Sequence, residues 1–258
     1  MVVFFDIDGT LIDNDSQIIP DSAVRAIETL RRNGHTPVVN TGRPYAHIDP
    51  RIRRMAFSGW VCGCGMELLL DGAWLYRTAP SKELCRKVRE AVQACRMQAL
   101  YESSLGGVYV DGACSTHPAI VKECTQMAGK GFFVEELNEN SFMKLITFDG
   151  ENCRREAFLG QMACDFTCID RGNTMLELVL KGHSKAGGME QLLDALRVPR
   201  EDTLAIGDST NDLPMFCVAN HTACMGNGME ELKRQSEFVT DTVLNDGIEK
   251  ALKYFDLI

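Results

Sequence analysis

The chain is short of positive charge: in 258 residues, 27 Lys and Arg stand against 36 Asp and Glu, for a formal net charge of −9. No long Lys/Arg run occurs, so the phosphate-backbone footprint of a nucleic-acid binder is missing. A small anionic substrate still suits an acidic chain if a metal ion and a few placed cations reverse the local field. Also missing is any apolar run near the roughly 20 residues that a membrane-spanning helix needs. Met1 leads straight into Val2-Val3-Phe4-Phe5-Asp6, with no basic n-region, long apolar h-region or small-residue cleavage site, so no secretion signal is read. The 11 cysteines are odd in number and scattered, unlike a small disulfide scaffold, and Cys62-Gly63-Cys64 lacks a second Cys or His pair at zinc-finger spacing. Internal repeats and low-complexity segments are absent. These absences lead us to expect a soluble protein of the reducing cytoplasm with neither nucleic-acid nor membrane partners.

What is present is a hydrophobic fraction of 45% in an α/β pattern. The run Val2–Phe5 reads as a buried strand, and Asp21 can cap a helix carrying Ala23, Ile27 and Leu30 on one face, stopped by Asn33-Gly34. Thr36–Asn40 and Trp60–Cys62 read as further strands, so the alternation implies parallel βα units. Leu68–Leu70, Asp71-Gly72 and Ala73–Tyr76 form a hairpin with a type I′ turn. From Ala79 the pattern changes. Ser81 caps a helix, and strands at 99–103, 108–111, 142–148, 166–170 and 175–180 surround helical stretches at 118–128 and 152–164. Lys181–Lys185 starts another helix, and the parallel pattern resumes at Thr203–Asp208, Thr222–Met225 and Phe238–Thr240. A segment of this length is too long for a structureless loop. Residues 79–182 are therefore expected to form an inserted α+β domain, with 1–78 and 183–258 forming a discontinuous α/β core with a mainly parallel sheet.

The chemistry gathers at strand ends. Asp6-Ile7-Asp8-Gly9-Thr10 delivers two carboxylates from an apolar strand into a turn; alternation starts Asp6 and Asp8 on the same side, and the turn can aim them differently. One can attack while the other moves a proton, although the pentapeptide alone reads first as a strand end and a turn. Gly207-Asp208-Ser209-Thr210-Asn211-Asp212 follows another apolar strand and can reach the same sheet edge. Converging carboxylates repel unless a cation joins them, and an oxygen-rich site suits Mg²⁺. Thr41-Gly42 ends a third strand, where a hydroxyl and backbone N–H groups can hold phosphoryl oxygens; Lys185 adds positive charge near a helix N-terminus.

In this order the four segments resemble the signature of the haloacid dehalogenase superfamily of aspartyl-phosphate phosphohydrolases, over nearly the whole chain. Thr41-Gly42-Arg43-Pro44, the acidic Gly207–Asp212 segment and the long insert between Thr41 and Lys185 resemble its Cof-type branch, subclass IIB, which carries a C2 cap. The resemblance implies a three-layer Rossmann-like core and a cap. It makes Asp6 the nucleophile and Asp8 the acid/base, and it places Mg²⁺ on Asp6, the carbonyl of Asp8 and Asp208, supported by Asp212. Thr41, Gly42, Arg43, Lys185 and Asn211 then contact the phosphoryl group, the substrate or the attacking carboxylate. One departure is Cys64-Gly65-Met66, where Cof-type chains usually carry Asn-Gly-Ala.

The activity implied is Mg²⁺-dependent hydrolysis of small phosphate monoesters, sugar phosphates first among them. Dehalogenases of the superfamily lack an equivalent of Asp8, so dehalogenation is disfavoured. Two alternatives stay open: a phosphosugar mutase, and a phosphometabolite sensor without turnover. The five histidines, His35, His47, His117, His183 and His221, show no metal-ligand spacing.

Overall fold

The structure is a computed structural model and describes residues 1–103, 106–110, 117–129, 134–136, 142–172 and 174–258. It divides into two compact units: Met1–Gly42, Pro50–Arg77 and Ser184–Ile258 form the first, and Arg43–Asp49 with Thr78–His183 form the second. Residues 43–49, which lie inside the expected core segment, thus pack with the second unit. One contact that ties them there is made by His47. It is 1% exposed, and its Nδ1 lies 3.5 Å from Oε2 of buried Glu102.

In the first unit the strands are β1 (Val2–Phe5), β2 (Thr36–Asn40), β3 (Gly59–Cys62), β4 (Glu67–Leu70) and β5 (Ala73–Arg77), then later in the chain β12 (Thr203–Gly207), β13 (His221–Cys224) and β14 (Phe238–Val239). They form one sheet in the order β14-β13-β12-β1-β2-β3-β4-β5, parallel from β14 to β3 and antiparallel through the last two pairings. Continuous apolar runs suit strands covered on both faces, and β1 is buried throughout. Strand order proceeds one way from β1 to β3 and the other way from β12 to β14. Right-handed crossovers therefore put their helices on opposite faces. Helices α6 (Lys185–Leu196) and α7 (Leu213–Val218) bring Met189, Leu192, Leu193 and Met215 onto Val2, Phe4, Val38, Val61 and Ala205. Helix α1 (Asp21–Arg32) packs on β2 and on α9 (Gly247–Tyr254); the short α2 (Pro50–Arg53) and α8 (Glu230–Lys233) complete this unit. The expected α/β class with a mainly parallel sheet is what the chain adopts.

Two local expectations meet different outcomes. Asp71 and Gly72 have φ of 45° and 81°, as a type I′ hairpin turn requires. Asp21, by contrast, is the first helical residue: Pro20 occupies the cap position, and no side chain caps α1. Its charge still sits in the first turn, where the helix dipole favours an anion.

The second unit is built on another sheet, ordered β10-β11-β9-β6-β7-β8 among the described residues. Its strands are β6 (Met97–Glu102), β7 (Val108–Val110), β8 (Val134–Glu136), β9 (Lys144–Asp149), β10 (Phe166–Gly172) and β11 (Met175–Leu180). Neighbours are antiparallel except β7 and β8. Helix α3 (Lys82–Ala94) is capped by Ser81, whose Oγ accepts from Leu84 N at 3.1 Å. With α5 (Arg155–Met162), α3 covers one face through Val88, Val92, Phe158 and Met162, packed on Tyr101, Leu145 and Leu178. Helix α4 (Pro118–Gly129) brings Ile120 and Met127 onto Leu100 and Phe148. The expected strand 108–111 ends with Asp111, which lies outside the described residues. No helix among the described residues is long and apolar enough to cross a membrane.

Candidate active site

The sheet order reverses between β1 and β12, and the carboxyl ends of strands flanking such a reversal are where open α/β sheets bind ligands. Phe5 pairs with Ile206, so Asp6 and Asp208 leave two adjacent strands close together. The N–H of Asp6 donates to Ile206 O at 3.0 Å and holds that register one residue past the strand. Beyond Asp6 the chain turns back: Leu11 N donates to Ile7 O at 2.9 Å, and Gly9 N to Ile12 O at 2.9 Å. Asp6 ends buried at 4% exposure, whereas Asp8, two residues on, is half-buried. The turn passes through Gly9 at φ +76°, where a Cβ would stand 2.3 Å from Asp208 Oδ2. Only glycine meets both conditions. Asn227 secures the turn from β13's loop, its Nδ2 donating to Gly9 O at 2.7 Å.

Asp208 and Asp212 are set by a single 3₁₀ turn, Thr210–Asp212. Oδ2 of Asp212 accepts from Asp208 N at 3.0 Å and Ser209 N at 3.1 Å, closing a capping box with the Ser209 side chain. A Cβ on Gly207 would come within 2.5 Å of that same oxygen, so the tight return of the Asp212 carboxylate depends on glycine there. From the other side Thr10 Oγ1 donates to Asp208 Oδ1 at 3.4 Å. Asn211, half-buried, accepts a hydrogen bond from Ser209 Oγ at 2.6 Å.

Lys185 closes the cluster. It is the first residue of α6, whose N-cap Ser184 accepts from Gly187 N at 2.9 Å. Its Nζ lies 2.6 Å from Asp6 Oδ1 and 2.6 Å from Asp212 Oδ1, with the lysine only 2% exposed. Close backbone approach makes this reach possible. Gly65 (φ +86°), in the turn after β3, and Gly188 in α6 stand so near that a Cβ on Gly188 would lie 2.7 Å from Gly65 Cα. Burial alone would lower the pKa of the ammonium, but Asp212 and Asp6 outweigh it and hold the pKa above the ordinary range.

One lysine does not balance the carboxylates. Burial, opposed by Lys185 and reinforced by the charges of Asp212 and Asp8, raises Asp6 to about 7. Burial, with the charges of Asp6 and Asp212, raises Asp208 to about 8. Asp6, Asp208 and Asp212 each offer an oxygen, all within 4.8 Å of one another; this is the one such metal-capable group among the described residues. Hard oxygen donors with uncompensated negative charge fit a divalent cation such as Mg²⁺. Asp212, with both oxygens already engaged, braces the group from behind.

The structure thus brings Asp6, Lys185, Asp208 and Asp212 together. Thr41 follows β2 directly and is buried: its N–H donates to Val61 O at 2.9 Å, and its O accepts from Cys64 N at 3.1 Å. Gly42 is half-buried, and Arg43 belongs to the second unit. Asn40 Nδ2 donates to Lys185 O at 3.0 Å, and the sequence did not foresee this contact or those of Thr10, Ser209 and Asn227. Ser209 had a signal, a Ser three residues before an Asp. Asn40 had one as well, as an amide ending an apolar strand. Asn227, in a Gly-Asn-Gly turn, had none.

Comparison with known proteins agrees with this geometry. The profile of the haloacid dehalogenase-like hydrolases matches residues 3–252. The 5-amino-6-(5-phospho-D-ribitylamino)uracil phosphatase YitU of Bacillus subtilis is 25% identical over 99% of this chain and 98% of its own. The phosphatase YwpJ of the same organism is 24% identical, over 98% and 99%. Among solved structures, the superfamily phosphatase BT1666 from Bacteroides thetaiotaomicron superposes with a TM-score of 0.82 at 27% identity, covering 100% of this chain and 95% of the other. The subclass IIB sugar phosphatase BT4131 shares the fold at a TM-score of 0.81 and 22% identity, covering 100% and 99%. With its profile match spanning both units and its acidic cluster at the sheet reversal, the chain belongs to the haloacid dehalogenase-like hydrolases, as an enzyme of their Cof-type phosphatases.

Proposed function

We propose that the protein is a Mg²⁺-dependent hydrolase of small phosphate monoesters, sugar phosphates or similar metabolites of a reducing cytoplasm, acting through an aspartyl phosphate on Asp6. The observation that carries this reading is the buried Lys185 ammonium, 2.6 Å from both Asp6 and Asp212, which holds one Asp6 oxygen in place beside Asp208. A carboxylate fixed in this way needs little reorganisation to attack phosphorus.

Asp6, the Asp8 carbonyl and Asp208 would hold Mg²⁺, which when bound supplies positive charge for the phosphoryl oxygens. The remaining work falls to side chains. Asp6 attacks phosphorus as the bond to the substrate alcohol breaks, and Asp8 gives that alcohol its proton. Asp8, now a carboxylate, takes a proton from water as the water oxygen bonds to phosphorus; phosphate leaves and Asp6 is free again. Half-burial suits Asp8 to this exchange, since it must meet both leaving group and water. Thr41, Gly42 and Asn211 are assigned to the phosphoryl oxygens, and Arg43 to the substrate.

A panel of phosphorylated metabolites assayed for phosphate release with Mg²⁺ tests the proposal. Asp6→Asn should abolish turnover. Isomer formation without net phosphate release would replace the hydrolase by a mutase, and binding without turnover across the panel would replace it by a sensor.

A further inference from the structure

The buried polar side chains of the first unit outside the acidic cluster include one that stability alone does not explain. Asn40 ends the strand Thr36-Pro37-Val38-Val39-Asn40 and is 0% exposed. Its Nδ2 donates to the backbone O of Lys185 at 3.0 Å, across a separation of 145 residues. Its Oδ1, fully buried, has no hydrogen-bond partner among the described residues. A buried amide oxygen without a donor costs at least as much as the single bond made by the other end returns. An apolar residue would serve packing at least as well.

What the amide does accomplish is positional. Lys185 is the first residue of α6, and its carbonyl can accept the helical amide four residues on while its second lone pair takes Asn40. The next residue after Asn40 is Thr41. One side chain therefore links the strand end that presents Thr41 to the helical residue whose ammonium holds Asp6 and Asp212.

We infer that Asn40 is a positioning residue that fixes the backbone of Lys185 against β2, and so sets where the ammonium stands over Asp6. The inference rests on the proposed phosphatase chemistry for its kinetic consequence, and on geometry alone for its structural one. Misplacement of a catalytic group by about 1 Å can cost on the order of a hundredfold in rate.

Two readouts on Asn40→Leu test it, because leucine matches asparagine in shape and removes the orphaned oxygen. In the native full-length protein, reductive methylation followed by mass spectrometry reads the accessibility of the Lys185 amine. The expectation is labelling several-fold faster than wild type, at an unchanged or raised unfolding midpoint. With p-nitrophenyl phosphate and saturating Mg²⁺, kcat should fall at least about tenfold while KM moves little, and the same substitution in a Lys185→Met background should lower kcat no further. Asn40→Ser, too short to span to the carbonyl, serves if Asn40→Leu does not fold. Unchanged Lys185 labelling in the folded variant overturns the positioning role, as does an undiminished kcat loss in the Lys185→Met background. A wild-type protein that hydrolyses no phosphate ester would overturn the phosphatase reading alone, and the labelling result would still decide for Asn40.

Discussion

Without divalent metal, the protein should lose stability as pH rises from about 5 to about 8, and Mg²⁺ should abolish that loss. Burial and the neighbouring carboxylates raise Asp6 from 3.8 to about 7, and Asp208 from 3.8 to about 8. In the unfolded chain both groups ionise at ordinary carboxylate values. Between those values and the folded ones the native state carries the extra protons, so stability falls as pH rises. Taking Asp6 alone, the displacement from 3.8 to about 7 amounts to about 4 kcal/mol, most of it within this window. For a chain of this size that is a fall of about 10 °C in the unfolding midpoint. The two residues are 4% and 8% exposed, so solvent screening does little to reduce the figure. The assay is unfolding followed by tryptophan fluorescence, in EDTA and in Mg²⁺, with buried Trp60 of β3 as the internal probe. His47 acts with the opposite sign, because burial lowers its pKa and stability is gained as pH rises. Its contribution is the same with and without metal, so the difference at each pH removes it. A difference between the EDTA and saturating-Mg²⁺ midpoints that stays flat or narrows as pH rises would refute the reasoning.

Three further predictions follow from particular contacts. Asp8→Asn should slow both formation and hydrolysis of the phosphoenzyme by on the order of a hundredfold with a poor leaving group, as followed by rapid quench; wild-type rates would remove Asp8 from the proton transfers. Gly207→Ala places a Cβ within 2.5 Å of Asp212 Oδ2 and should cost about 1–3 kcal/mol while weakening stabilisation by Mg²⁺, as read by urea unfolding with and without the metal; an unchanged midpoint and metal response would count against the capping turn as the brace. In the second unit, burial pushes Glu177 up, but Lys144 at 3.0 Å and Arg171 at 2.5 Å outweigh it and hold it down at about 2. Its stabilisation is thus complete above the ordinary carboxylate value and is lost as pH falls toward about 2. Glu177→Gln should cost about 3 kcal/mol at neutral pH and flatten that acid limb, as measured by urea unfolding across the acid range.

Much of the first unit was legible because its signals are local. Continuous apolar runs, Asp71-Gly72 and Asn33-Gly34 in this unit, and the cap Ser81 in the other, each act over a few residues, and the structure uses every one of them. The acidic cluster was legible for another reason: each of its members ends a strand or starts a helix, and parallel topology sends those ends to one edge. What stayed hidden depends on partners distant in sequence. Nothing near His47 shows that it packs on Glu102, and nothing near Asn227 shows that it holds Gly9. The helix expected over 152–164 shortens to Arg155–Met162 because Asn152, with φ of 54°, lies in a turn before it.

The placement of Arg43–Asp49 bears on how the second unit can change over time. Because these seven residues pack with Thr78–His183, the chain passes between its two units four times, where a simple insertion would need two passages. The second unit is therefore not a cassette bounded by residues 78 and 183. An exchange of that segment between relatives would separate His47 from Glu102 and leave each with a foreign neighbour in a buried place. Inheritance of a new second unit has to include the stretch just past Thr41-Gly42. Its divergence is thus coupled to the stretch that directly follows Thr41-Gly42, which favours change by substitution within the existing unit over replacement of the whole.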